Sequence, residues 1–410
     1  MVGFDCDPEI KEVSRMQNRK QTKPRPIPGR NMSQKRKAAV PMRLMRTPKQ
    51  VDVNITNECN LRCKYCYHFG SEDDTGRDLP AGEWLFFFEE LGRCGVMEVV
   101  MAGGEPFIRE DLKEIIQAVV RNRMRFSLLS NGTLITEDVA AFIHATGRCN
   151  QVQVSIDGSM PVTHDSMRGR GSFKKAIEGI RTLQRHGINV EVRVTIHRKN
   201  VLDLEGIARL LLDEIGLAEF STNSAGHMGL CRKNAEMVQL TPAERSLAME
   251  TLLQLNEKYG GRISASAGPL AEARMFRGME DARRNGLTEL NGRGCLTGCS
   301  GMMSKIAVRA DGVMVPCTQL PMIELGRINR DSLEEVWRRH PELNRLRRRC
   351  EIPLGNFAFC AGCEYIRYCT GSCPALAFTL SGDPYHPAPD ACLRKFLAEG
   401  GRLPDRALLC

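Results

Sequence analysis

Most of the chemistry open to this 410-residue chain lies in its 17 cysteines. Cys59, Cys63 and Cys66 stand close together as Cys-x3-Cys-x2-Cys. In a loop, thiolates at that spacing wrap one corner of a [4Fe–4S] cubane, which takes four thiolates when fully ligated. Only three are offered here, so one iron is left for a chelating ligand from outside the chain. The plainer alternative is a zinc site with a distant fourth ligand, but structural zinc favours paired Cys-x2-Cys spacings. A second group lies towards the C-terminus: Cys295, Cys299 and Cys317, then Cys360-x2-Cys363-x5-Cys369-x3-Cys373, then Cys392. Two zinc ribbons are the alternative there, and the five- and three-residue gaps suit them poorly. Cys6, Cys94, Cys149, Cys231, Cys350 and Cys410 are left over and read as structural. Cys231 is also a candidate hydrogen donor, because it follows shortly after a strand end.

These groups need a frame, and the pattern from Val51 onward supplies one. Strands are expected at Val51–Thr56, Glu98–Ala102, Arg125–Leu129, Gln151–Ile156, Glu191–Ile196 and Ala218–Thr222. Between them the pattern predicts helices at Ala81–Arg93, Asp111–Arg121, Glu137–Ala145, Phe173–Arg185 with Ser172 as N-cap, and Leu202–Glu214. Strand–helix alternation at this spacing predicts parallel βαβ units with right-handed crossovers. Six units are too few for a closed eight-unit barrel, so an open barrel or a doubly wound sheet is expected. In either, ligands sit at the carboxyl ends of the strands.

The strand ends agree with that rule. The cysteine triplet follows the first strand, and Gly103-Gly104-Glu105-Pro106 ends the second. Its glycines can bare the backbone to a close ligand, and Glu105 can accept from an ammonium group. Ser130-Asn131-Gly132-Thr133 ends the third strand and Ser155-Ile156-Asp157-Gly158 the fourth, with short side chains suited to hydroxyl or carboxylate recognition. Taken singly, each is more often a turn; their joint placement carries the weight. Further on, Thr241-Pro242-Ala243-Glu244 reads as a capping box opening a helix to about Tyr259. Beyond Gly294 the pattern becomes irregular.

The charge is uneven. Residues 1–50 hold 13 Lys and Arg against four Asp and Glu, which leaves 45 of each sign in the rest of the chain. The body has no basic bias towards nucleic acid or membrane, and the prolines and charge of 1–50 predict a mostly disordered arm. Hydrophobic residues make up 42% and charged residues 26%, the balance of a soluble globular protein. No apolar run has the ~18–20 residues of a membrane span, and no secretion signal is evident. A cytoplasmic location is expected, where many thiols point to metal or redox chemistry rather than disulfides.

Cys59–Cys66, with Tyr65 before the last cysteine and Gly103-Gly104-Glu105-Pro106 after it, resembles the radical S-adenosylmethionine (SAM) superfamily. His164-Asp165 to Arg168 and Gly171-Ser172-Phe173 resemble its peptide- and protein-modifying subgroup. The resemblance covers Val51 to about Asn223 and implies an α/β fold, a partial (β/α)6 radical SAM barrel. It also implies that the open iron of the [4Fe–4S] cluster on Cys59, Cys63 and Cys66 binds SAM. Gly103, Gly104 and Glu105 would hold the methionyl amine; Ser155, Ser130, Asn131 and Arg168 would hold carboxylate or ribose. An electron passed to the bound SAM would break a carbon–sulfur bond and yield a 5′-deoxyadenosyl radical. The C-terminal cysteines, with Gly312 between Cys299 and Cys317, are similar to the SPASM domain, a small irregular module with two auxiliary [4Fe–4S] clusters. By that analogy Cys295, Cys299, Cys317 and Cys373 hold the nearer cluster, and Cys360, Cys363, Cys369 and Cys392 the farther one.

The resulting organisation is an arm at 1–50, a radical SAM core at 51–230, a helical linker at 231–294 and the SPASM domain at 295–410. The resemblance puts an enzyme that crosslinks or oxidises a ribosomally made peptide or a protein first. A radical SAM oxidoreductase acting on a small molecule in cofactor or sugar biosynthesis comes second. A non-catalytic iron–sulfur or zinc protein that binds nucleic acid comes last. Thr318, where sulfatase-maturing members carry an Asp, argues against formylglycine formation. The arm is too short for a winged-helix leader-binding module, so a separate leader-binding protein or the arm itself would serve. A flavodoxin- or ferredoxin-type electron donor is implied, and neither a membrane nor a nucleic-acid partner is expected.

Overall fold

A computed structural model describes residues 44–71, 76–288, 290–299 and 301–405. Most of the arm expected at 1–50, together with Cys6 and Cys410, lies outside those residues. Ten strands form one sheet: β1 (Gln50–Thr56), β2 (Glu98–Gly103), β3 (Arg125–Ser130), β4 (Cys149–Ser155), β5 (Val190–Ile196), β6 (Phe220–Ser224), β7 (Ile263–Ala265), β8 (Lys305–Val308), β9 (Val313–Val315) and β10 (Gly326–Arg327). The spatial order is β10-β9-β8-β1-β2-β3-β4-β5-β6-β7. From β8 to β7 all neighbours are parallel, whereas β8–β9 and β9–β10 are antiparallel.

The side-chain period of two divides this sheet into an apolar and a polar face. Val51, Val53, Ile55, Val99, Met101, Phe126, Leu128, Val152, Val154, Val192 and Val194 are fully buried in the main core. They pack with helical residues such as Trp84, Phe87, Phe88 and Leu91 of Ala81–Arg93. The alternate positions are polar and bond to one another across strands. Ser127 donates to Glu98 at 2.7 Å, and Ser221 donates to Glu191 at 2.7 Å. An all-apolar sheet would need no such network; this one keeps one face wet enough for polar chemistry.

The helices at 81–93 and 137–145 fall where the sequence predicts them. The capping box at Thr241 is present and opens Pro242–Lys258. Other details differ. Ser172 is the first helical residue rather than a cap, because the Asp165 carboxylate takes over that task, accepting from Gly171 N at 2.6 Å and Phe173 N at 2.8 Å. The helix expected over 202–214 is α-helical only at Leu204–Arg209 and continues as a π turn over Leu210–Glu214. β7 and β8, at three and four residues, are too short for an alternation signal. Pro161–Arg168 buries His164 and Arg168 rather than an apolar stripe, so periodicity does not reveal it.

The segment beyond Gly294 does not stand apart from the barrel's sheet. β8 pairs in parallel with β1, from Gln50↔Lys305 to Val53↔Val308, immediately before the cysteine loop. Tyr365 in the tail donates to Glu280 at 2.9 Å, and Glu280 also bonds Arg283 and Arg284. Among the described residues no helix is long and apolar enough to cross a membrane.

Candidate metal and cofactor site

β1 delivers the chain to the site, and a web of backbone bonds sets the path of the next ten residues. Asp78 receives the Thr56 hydroxyl and, at 2.7 Å, the amide of Asn57. Gly104 N donates to Thr56 O at 2.9 Å, and Glu105 N to Glu58 O at 2.8 Å. The β2 end is thereby tied to the start of the cysteine loop. Gly103 has φ +139°, and a β-carbon there would lie 2.2 Å from Thr56 O; one on Gly104 would lie 2.0 Å from Glu58 O. The two glycines are thus needed for the chain to approach itself, in addition to any ligand. Gly104→Ala should displace the loop and reduce iron bound at Cys59, Cys63 and Cys66, as assayed by iron content after anaerobic reconstitution. Gly82→Ala, with open space around it, should leave that iron content unchanged.

Glu105, Ser130 and Asn131 come together. The buried Glu105 carboxylate accepts from Ser130 Oγ at 2.8 Å, Asn131 N at 2.7 Å and Phe107 N at 3.2 Å. Burial pushes its pKa up to about 7, against the pull of those hydrogen bonds. Asn131 Nδ2 reaches Asn60 Oδ1 at 2.9 Å and Cys59 Sγ at 3.9 Å, so this group braces the first cysteine. Ser155 ends β4 and is part-exposed.

On the opposite side, Arg168 is committed to the protein. Its Nε meets the fully buried Asp157 at 2.5 Å, and its Nη1 lies 3.9 Å from Cys63 Sγ. Tyr65 donates to the same Asp157 oxygen, and Thr195 N donates to the other at 2.7 Å. The Tyr65 ring stacks on His197 with centroids 5.5 Å apart. Burial holds His164 and His197 down at about 4, so both imidazoles are neutral near pH 7. The sequence marked Arg168 as a ligand-binding residue; its pairing with Asp157 and Tyr65 needed three-dimensional proximity and had no linear signal. Gly229, at φ +52°, comes against the carbonyls of Cys66, Tyr67 and Phe69, and Leu230 N donates to Cys66 O at 2.8 Å. Cys231, next to this cap, is fully buried with Tyr65, Met167 and Val238, which gives it a packing role.

The tail thiols gather in two places. Cys360, Cys363, Cys369 and Cys392 line one small apolar cavity with Phe359, Tyr365 and Leu393. Cys299, Cys317 and Cys373 pack against Met302, Leu320, Leu346, Ala375 and Tyr385. Cys295 forms an isolated antiparallel bridge to Pro353. Tyr67, next to Cys66, lies beside Thr318, next to Cys317. Burial pushes the Tyr67 phenol up to about 12. The first cysteine loop and the Cys299 group therefore face each other.

Comparison with known proteins bears on the same two regions. Residues 53–211 match the radical SAM superfamily model, and residues 299–364 match the SPASM model, described as an iron–sulfur cluster-binding domain. A pre-heme d1 synthase of Dinoroseobacter shibae is 30% identical over 376 residues, covering 89% of this chain and 91% of its own. The chain belongs to the radical SAM superfamily. An AdoMet-dependent heme synthase of Methanosarcina barkeri is 27% identical over 82% of this chain and 94% of its own. A PqqA peptide cyclase of Ruegeria pomeroyi is 23% identical over 80% and 83%. Among solved structures, Streptococcus suis SuiB bound to precursor peptide SuiA superposes with a TM-score of 0.63 at 15% identity, covering 85% of this chain and 76% of that one. That likeness shows the fold, a partial barrel of radical SAM type followed by a SPASM region.

A radical SAM enzyme with a SPASM region uses SAM and [4Fe–4S] chemistry, and this chain's donors fit that group. Burial raises all three loop thiols, Cys63 to about 12, so they need a nearby cation to ionise, which iron supplies. Among the described residues no three Cys, His, Asp or Glu side chains close on one point as a single ion requires. A cubane spreads its ligands over separate irons, so its thiols need not close on one point.

Proposed function

We propose that this radical SAM enzyme takes a hydrogen atom from a side chain of an iron porphyrin-type tetrapyrrole, the small-molecule reading that the sequence motifs placed second. The observation that carries it is end-to-end similarity. The two tetrapyrrole synthases align through both the barrel and the tail, the first at 30% identity. When bound, the cluster and SAM supply a 5′-deoxyadenosyl radical; the chain's task is to orient the substrate carbon and exclude water. Cys59, Cys63 and Cys66 would hold the SAM-binding cluster, and the eight tail thiols named above up to two more. Glu105, Ser130, Asn131 and Ser155 line the strand ends where SAM would lie. A cavity of about 180 Å3 at the ends of β5 and β6 is separated from the cysteine loop by Val238 and Ala225. Arg245 Nη2 there is buried without a hydrogen-bond partner, a donor that a substrate carboxylate would satisfy. Electrons would come from a flavodoxin- or ferredoxin-type donor.

A peptide substrate is the second reading, favoured by the 23% identical peptide cyclase and the fold shared with SuiB. The test is SAM cleavage by the anaerobically reconstituted, reduced enzyme. Iron coproporphyrin should raise 5′-deoxyadenosine formation well above the substrate-free rate, with a mass change in the porphyrin. Stimulation by precursor peptides alone would overturn the proposal in favour of the second reading.

A further inference from the structure

The tail contains two arginines with no exposed surface, Arg347 and Arg349. Every hydrogen bond given by Arg349 ends on a backbone carbonyl: Pro384 O at 2.7 Å, Thr297 O at 2.7 Å, Ser372 O at 2.9 Å and His386 O at 2.8 Å. A buried cation held only by neutral groups is costly and calls for a compensating anion. The carbonyls it grips point to where that anion belongs. Thr297 is two residues before Cys299, and Ser372 directly precedes Cys373. Cys299 and Ser372 both adopt left-handed backbone, at φ +55° and +63°, a conformation that non-glycine residues hold only when the surroundings impose it. Arg349 therefore clamps two strained segments that carry thiols of one group. Arg347 differs: it stacks on Trp337 at 4.1 Å, and its acceptors Met302 O, Trp337 O and Asn344 Oδ1 all lie more than two residues from any cysteine.

We propose that Arg349 is a positioning residue for an anionic iron–sulfur cluster on Cys299, Cys317 and Cys373, its buried guanidinium balancing the cluster's charge while its carbonyl contacts hold the ligand segments. The inference rests on the reading of these thiols as cluster ligands. Each thiolate brings a negative charge and reduction adds another, so the guanidinium favours the reduced form and raises the potential. It also links iron loading to folding, because the iron-free tail must bury the cation uncompensated.

The experiment compares reconstituted and iron-free forms of the full chain for wild type, Arg349→Met and, as a control, Arg347→Met. Arg349→Met should shift the midpoint of the auxiliary-cluster EPR signal to more negative values. It should also narrow the gap in melting temperature between the loaded and iron-free forms. Arg347→Met should lower both melting temperatures alike and leave the midpoint in place. An unchanged midpoint, or equal losses from both forms in Arg349→Met, overturns the proposal. If Arg349→Met does not fold, the neutral Arg349→Gln is read instead: a narrowed gap supports the proposal, and a wild-type gap overturns it. The underlying ligand reading fails separately, if Cys299→Ala and Cys317→Ala leave the wild-type iron content unchanged.

Discussion

Replacing Cys59, Cys63 and Cys66 together by alanine should abolish 5′-deoxyadenosine formation from SAM and remove about four irons per chain. The three thiols lie on one loop held at both ends, by Asp78 and the β2 glycines on one side and by Leu230 on the other. No other described cysteine joins them except Cys231, which points into apolar packing. A chain lacking the triplet has nothing to hold a SAM-binding cluster, so the loss should be complete, while tail iron remains. Iron analysis and chromatography of the reduced, anaerobic protein measure both quantities. Deoxyadenosine still formed by the triple variant would refute the site.

The largest expected effect on stability comes from Arg168→Met. It leaves the Asp157 carboxylate fully buried with only Tyr65 and Thr195 N to support it. Breaking one side of a buried ion pair costs about 3–5 kcal/mol. Burial alone would raise the Asp157 pKa, but Arg168 and the two histidines outweigh it and hold the carboxyl below its usual range. A depressed folded pKa adds stability that is present above the unfolded value, about 4, and is lost as pH falls through the folded one. The deficit of Arg168→Met should accordingly be full at pH 7 and shrink on acidification, once the orphaned carboxyl can protonate. Urea unfolding of the iron-free protein at several pH values checks this; a deficit that does not vary with pH would exclude the ion pair as its source. In the loaded protein the same change removes the donor beside Cys63 Sγ.

The legible parts of this protein were those with local causes. Cys-x3-Cys-x2-Cys lies where the first strand ends, and the strand cores from Val51 to Ile196 carry the apolar alternation of a sheet with one polar face. The candidate residues do follow the strands. What escaped was long-range. Gly103 and Gly104 looked like an opening for a ligand, yet their missing side chains are first required by Thr56 O and Glu58 O, 47 and 46 residues earlier in sequence. Arg168 stands out in the sequence only as a ligand-binding candidate, yet one edge of its guanidinium is taken by Asp157. In each case the deciding contact joins segments that the linear pattern treats as unrelated.

The pairing of β8 with β1 has a consequence for dissecting the molecule. β1 is hydrogen-bonded along both sides, with β2 on one and the tail's β8 on the other. Cutting the chain after Gly294 would strip one side of β1 and bare a ladder of unsatisfied amides and carbonyls just ahead of the first thiols. Such an edge recruits strands from other chains. The catalytic half is thus no detachable module, because the tail is its edge protection.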